Sequence, residues 1–223
     1  LAKSIDRDFP DLEGEGLEDL LLWLLQSDLS CYFEGSEGQF GKFVDDLSQL
    51  ILQFYTDGST EDGIISLSMS LRDTVYEVGT PRQLLFGDVL CAVLRKKLEN
   101  SAWKSLPKYS GLSLQTWRPT IQNESFIKEL WPAQHILGKA DVFKGKSTII
   151  QMPTSAGKTK AVELIIRSAF LAERTKMAVI IAPFRALCHE IKNGLKEAFR
   201  DESIGIDELS DVFQTDYNIQ DLL

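Results

Sequence analysis

The chain is poor in the residues that staple small proteins: 223 residues hold three cysteines and two histidines. Cys31, Cys91 and Cys188 are widely separated and odd in number, which argues against a disulfide framework and fits reduced thiols in a cytoplasmic protein. His135 and His189 give no zinc-ligand spacing. The adjacent Cys188 and His189 cannot both face one metal from a regular helix, so a packed cysteine is the expectation there. Long apolar runs are also missing. Leu20–Leu25 is six residues, far short of the roughly 20 that a membrane span needs. Lys3, Asp6, Arg7 and Asp8 interrupt any signal-like stretch at the N-terminus. What the first ninety residues lack is positive charge.

The formal net charge of −9 averages over three unlike parts. Residues 1–90 hold 5 Lys/Arg against 18 Asp/Glu, residues 91–200 hold 19 against 8, and residues 201–223 hold none against 7. A uniform −9 would speak against a nucleic-acid surface; an acidic block followed by a basic one does not.

The acidic block carries helical periodicity. Leu17, Leu20, Leu21 and Leu24 share one spacing, and Phe40, Phe43, Val44, Leu47, Ile51 and Phe54 another, opposite Lys42, Asp45, Asp46 and Gln49. Ile64, Leu67, Leu71, Val75 and Val78 suggest a third helix, although Ile65, Leu67, Met69 and Leu71 also alternate with serines as a strand would. Thr80-Pro81 reads as an N-cap and first helical residue. The helix it starts carries Leu85, Val89, Leu90, Val93 and Leu94 and ends on Arg95, Lys96 and Lys97, where the dipole favours cations. Residues 1–105 are therefore expected to form an acidic helical accessory domain. Leu106-Pro107, Ser110-Gly111 and Arg118-Pro119 make 106–122 an expected connector.

From residue 123 the pattern changes to alternating strands and helices. Thr148–Met152 and Met177–Ala182 are short apolar runs of the kind covered on both faces, each followed by a helical pattern: Ala161, Leu164, Ile165 and Ala169, then Leu187, Ile191, Leu195 and Phe199. This predicts a parallel α/β sheet over 123–223, and an α + α/β fold for the whole chain.

Between the first strand and its helix lies Pro153-Thr154-Ser155-Ala156-Gly157-Lys158-Thr159. Gly-Lys-Thr in a strand–loop–helix context is a nucleotide-binding P-loop. Backbone amides at a helix N-terminus stabilise phosphate charge. Gly157 permits close approach of the backbone, and Thr154, Ser155 and Ala156 add small side chains and amides to the cradle. Lys158 supplies a point charge for the β- and γ-phosphates, and Thr159 a hydroxyl for Mg²⁺. The full G-x-x-x-x-G-K-[ST] pattern would place glycine at 152, where this chain has methionine. A lysine beginning an ordinary helix is the competing account, and it leaves Gly157 and Thr159 unexplained.

These residues also resemble a family. Leu130-Trp131-Pro132-Ala133-Gln134, Lys144-Gly145-Lys146-Ser147-Thr148-Ile149-Ile150, the loop Met152–Thr159, Ala182-Pro183-Phe184-Arg185-Ala186-Leu187 and His189-Glu190-Ile191 are similar to the opening of a superfamily-two helicase motor of the DExH-box, Ski-like branch. The match covers about 126–200. In that superfamily the loop commonly begins with a residue other than glycine, so Met152 is no objection. The resemblance implies a RecA-like first motor domain and the cofactors ATP and Mg²⁺. It makes Gln134 the reader of the adenine edge, with Trp131 or Phe126 as the stacking aromatic, and Arg185 a contact to the backbone of single-stranded DNA or RNA. The competing accounts are an exposed helix residue for Gln134 and an ion pair with Glu190 or another carboxylate for Arg185. Lys192 and Lys196, one turn apart, read as a solvated face or an extension of the basic track.

The family's Asp-Glu box and the arginine fingers of a second motor domain are not in the chain. Residues 201–223, with Asp207, Glu208, Asp211 and Asp216, read as a connecting stretch. The expectation is thus the N-terminal part of a motor, able to bind ATP and not to turn it over. The arrangement of an acidic helical domain ahead of such motifs is compatible with the helicase subunit of a Hachiman-type antiphage defence system, with a protein partner on residues 1–105. The alternative is a partner-binding module whose motor segment is inactive. A small-molecule kinase would leave Ala182–Leu187 without a purpose.

Overall fold

The computed structural model describes residues 16–25, 38–123, 125–153 and 157–208. The chain divides into two compact units, 1–108 with 113–130, and 109–112 with 131–223.

The first unit is helical. Helix α1 (Leu17–Leu24) buries Leu17, Leu20, Trp23 and Leu24. Its buried Glu18 is paired with Arg82 Nε at 2.7 Å. Helix α2 (Gly41–Asp57) turns Val44, Leu47, Ile51 and Phe54 inward, the face that the periodicity predicts. The ambiguous stretch is helix α3 (Glu61–Val78), with Ile64, Leu71 and Val75 in the core and the alternating serines satisfied within the helix, as Ser68 Oγ donates to the Ile65 carbonyl at 2.9 Å. Helix α4 (Pro81–Asn100) starts with the expected cap: Gln83 N–H donates to Thr80 Oγ1, and Thr80 N–H donates to Gln83 Oε1 at 2.7 Å. Helices α3 and α4 form the most extensively packed pair in the unit.

The expected connector is helical. Helix α5 (Ala102–Ser110) contains Pro107 and helix α6 (Leu114–Gln122) contains Pro119. A proline inside a helix costs about 3 kcal/mol, whereas each large apolar side chain taken from water contributes about 1.5–3 kcal/mol. Trp103, Leu106, Trp117 and Ile121 are all buried, so tertiary burial outweighs the local penalty. Ser113 caps α6 by accepting from Thr116 N–H at 3.1 Å. The unit closes at 128–130, which runs back along the end of α4. Ala102 N–H donates to the Lys128 carbonyl, Leu130 N–H donates to the Asn100 carbonyl, both at 2.8 Å, and Ser101 and Glu129 form an antiparallel bridge.

In the second unit helix α7 (Pro132–Lys139) leads through a 3₁₀ turn at Val142–Lys144 towards helices α8 (Lys158–Leu171) and α9 (Arg185–Ala198). The expected parallel sheet is not seen among the described residues, where 148–152 and 177–182 lie in unpaired chain. Ile149 is wholly exposed and Ile181 nearly so. The physical reason is that a parallel strand exists only through hydrogen-bonded neighbours on its edges, and among the described residues neither segment has one. The helical parts of the α/β pattern stand, with Ala161, Leu164 and Leu195 buried.

Candidate functional site: a nucleotide loop at the head of α8

Helix α8 begins at Gly157, whose φ of 78° and ψ of 37° lie in the left-handed region that a side chain disfavours. The first intrahelical bond of α8 runs from Ala161 N–H to the Gly157 carbonyl at 2.9 Å. The amides of Lys158, Thr159 and Lys160 precede it, so they have no acceptor within the helix and are available to an anion, with the helix dipole behind them. Lys158 and Thr159 are exposed in this first turn. Thr154, Ser155 and Ala156 lie outside the described residues.

Gln134 meets this loop. It stands at the third position of α7 and is only 2% exposed, which removes the account of it as a surface residue. Its Oε1 accepts from Trp131 N–H at 2.8 Å, closing the start of α7. That leaves its amide nitrogen against Gly157: a Cβ placed on Gly157 would lie 3.3 Å from Gln134 Nε2 and 3.5 Å from the Trp131 ring. The glycine is thus required by its backbone angles, and a side chain there would also press lightly on the Gln134 amide. Of the two aromatic candidates, Trp131 lies at the loop and is half-exposed, while Phe126 is buried in the first unit. Sequence spacing alone gives no sign that Gln134, Trp131 and Gly157 converge, because 23 residues separate Gln134 from Gly157.

Behind the loop the unit is tied by polar contacts. On α8, Arg167 and Glu163 form a buried pair at 2.9 Å, and Lys160 reaches Glu163 at 2.8 Å. Arg167 also bonds Glu202 and the Ala198 carbonyl at the end of α9, with its guanidinium 4.1 Å from the centre of the Phe199 ring. The Phe143 carbonyl accepts from Ser168 Oγ at 2.5 Å and Arg174 Nη2 at 2.8 Å. Lys144 hydrogen-bonds Asp141 and holds its carboxyl below the usual carboxylate range.

Arg185 is exposed as the first residue of α9, in the expected place after the 177–182 run. Lys192 sits 3.6 Å from Glu208, which also lies 3.8 Å from His189 Nδ1. Among the described residues no cluster of His, Cys, Asp or Glu could hold a metal ion, and no helix is long and apolar enough to cross a membrane.

Comparison with known proteins agrees with these motifs. Residues 133–220 match the DEAD/DEAH box helicase family. The chain is 26% identical to the Hachiman protein HamB of Bacillus cereus over 155 residues, covering 67% of this chain and 14% of HamB. It is 36% identical over 77 residues to the ATP-dependent DNA helicase Hel308 of Thermococcus kodakarensis, covering 34% of this chain and 7% of that protein. DNA polymerase theta of Mus musculus is also 36% identical over 77 residues, 34% of this chain and 3% of the polymerase. The chain therefore spans 14% or less of the length of these relatives. No solved structure matches it significantly. The resemblance of the C-terminal segment to superfamily-two helicases is borne out by the family match and by these relatives.

Proposed function

We propose that this chain, with its superfamily-two helicase segment, is the nucleotide-binding entry of an ATP-dependent nucleic-acid motor and belongs to a Hachiman-type antiviral defence complex. The observation that carries the motor reading is the convergence of Gln134 and Gly157 at the head of α8. An amide that donates and accepts suits the adenine edge, and the open amides of the first turn suit phosphate. In this reading Gln134 serves the base end and the loop before α8 the phosphate end of ATP·Mg. Lys158 balances the β- and γ-phosphates, Thr159 gives its hydroxyl to Mg²⁺, and Thr154, Ser155, Ala156 and Gly157 cradle the phosphates. Mg²⁺ would neutralise phosphate charge. Arg185 holds the backbone of a single strand of DNA or RNA without reading its sequence. Without the Asp-Glu box of the family, this segment by itself is expected not to hydrolyse ATP.

The test is ATP turnover by the full-length protein with and without single-stranded nucleic acid. Lys158→Ala is expected to reduce stimulated turnover at least about a hundredfold, in line with loss of a preorganised charge at the phosphates. Stimulated turnover equal to that of the parent would refute the role of Lys158.

A specific observation supports the defence reading. The HamB likeness is longer than the whole second unit, so it extends into the helical unit, whereas the Hel308 likeness is short enough to fit within the second. The alternative keeps the acidic helical domain as a docking module for an effector subunit, the motor segment being inactive. Activity lost in Lys158→Ala favours the motor; wild-type protection against phage by the same variant favours the docking module.

A further inference from the structure

Gln134 is held by an eight-residue helix, too short to be stable by itself. What fixes α7 therefore fixes the amide that faces Gly157. One turn beyond Gln134, on the same side of α7, stands Gly138, and the ring of Tyr109 lies directly on it. A Cβ on Gly138 would sit 2.3 Å from Tyr109 Cγ and 2.4 Å from Cδ2, so the ring rests on bare helix backbone. The Tyr109 hydroxyl hydrogen-bonds His135 Nδ1 at 2.9 Å, on the residue next to Gln134, and the two rings meet edge-on with centroids 5.6 Å apart. Phe143 packs beside Tyr109, at 6.5 Å between centroids. Tyr109 is 7% exposed. It is carried by the last turn of α5, a helix whose earlier residues Trp103 and Leu106 are buried in the first unit.

We infer that Tyr109 is a positioning residue for the base end of the nucleotide site: seated on Gly138 and bonded to His135, it sets the placement of α7 and so of Gln134. The role rests on the reading of Gln134 as the adenine contact. It makes the short stretch that carries Tyr109 part of nucleotide selection, alongside the motif residues of the loop.

The experiment compares kcat/KM for ATP and GTP in the full-length protein for the parent and for Gln134→Ala, Gly138→Ala, Tyr109→Phe and Tyr109→Ala. Gly138→Ala improves intrinsic helix propensity while forcing the ring away, and Tyr109→Phe keeps the ring and loses only the hydroxyl, so the result does not depend on Tyr109→Ala folding. Gly138→Ala is expected to lower the preference for ATP over GTP about tenfold and Tyr109→Phe about threefold, chiefly by raising KM for ATP, in proportion to one misplaced or lost hydrogen bond. A merely structural role would depress turnover of both nucleotides alike. If Gln134→Ala loses the preference while Gly138→Ala and Tyr109→Phe retain it, the positioning role is overturned and the adenine reading stands. If Gln134→Ala also retains it, the adenine reading falls and takes the positioning role with it.

Discussion

Asp88 receives a hydrogen bond from Arg72 Nε at 2.6 Å and another from the Tyr76 hydroxyl at 2.8 Å. The bond from Arg72, with the Tyr76 bond next in weight, holds the Asp88 carboxyl below the usual carboxylate range. Its folded value therefore lies below its unfolded one, near 3.9 for a free aspartate. The contribution to stability is complete above about pH 4 and disappears as pH falls through the lowered folded value. Urea denaturation of Asp88→Asn should show a deficit against the parent at neutral pH that narrows steadily as the pH is taken below about 4; a gap independent of pH would contradict the pairing. Inside the unit, the Tyr55 hydroxyl donates to Glu129 Oε1 at 2.8 Å, beside Lys97, and burial first, with the Glu129 charge second, pushes the Tyr55 hydroxyl far above its ordinary value. Residues of this kind were out of reach of a reading by motif. Gln134 and Gly157 belong to patterns that recur among nucleotide-binding proteins, but Tyr109 falls in a stretch whose proline pairs mask its helix, and its partners Gly138 and His135 carry no pattern of their own.

Helices were the legible elements because one chemical regularity, apolar residues on one stripe, both writes and drives them. Val44, Leu47, Ile51 and Phe54 go where their spacing sends them, and Thr80 caps α4 by a purely local bond. The prolines of α5 and α6 misled because local preference is a few kcal/mol at most and burial of Trp103 and Trp117 exceeds it. The strands at 148–152 and 177–182 are the opposite case: their composition is that of a covered strand, yet a strand exists only through its neighbours. The pairing of α8 with α9 shows what local pattern omits. Arg167 on α8 joins buried Glu163 to the end of α9. Arg167→Met should destabilise the fold by about 3–5 kcal/mol by leaving Glu163 buried beside Lys160 alone, whereas Glu163→Gln with Arg167→Met should cost much less. Chemical denaturation of both variants measures this, and equal losses would show that packing rather than charge governs the site.

Across the whole chain, the partition of charge is the property that the average conceals. Positive charge accumulates over 91–200, the stretch with the loop at Gly157–Thr159 and Arg185, while 1–90 is strongly negative. Binding of single-stranded nucleic acid by the full-length protein should therefore weaken steeply with salt. Arg185→Ala should reduce affinity alike for all sequences and lower the log–log salt slope by about one; an unchanged slope would remove Arg185 from the backbone contacts. The route of the polypeptide carries a further consequence. It passes from one compact unit to the other at 108–109, back at 112–113, and over again at 130–131. At the last passage both flanking amides are occupied, Leu130 by Asn100 and Trp131 by Gln134. A single recombination crossover cannot then exchange the first unit for another without also severing Tyr109–Leu112 from residues 131–223. Chimaeras cut at all three passages are expected to give a larger share of folded offspring than those cut at one, which a soluble-expression screen measures.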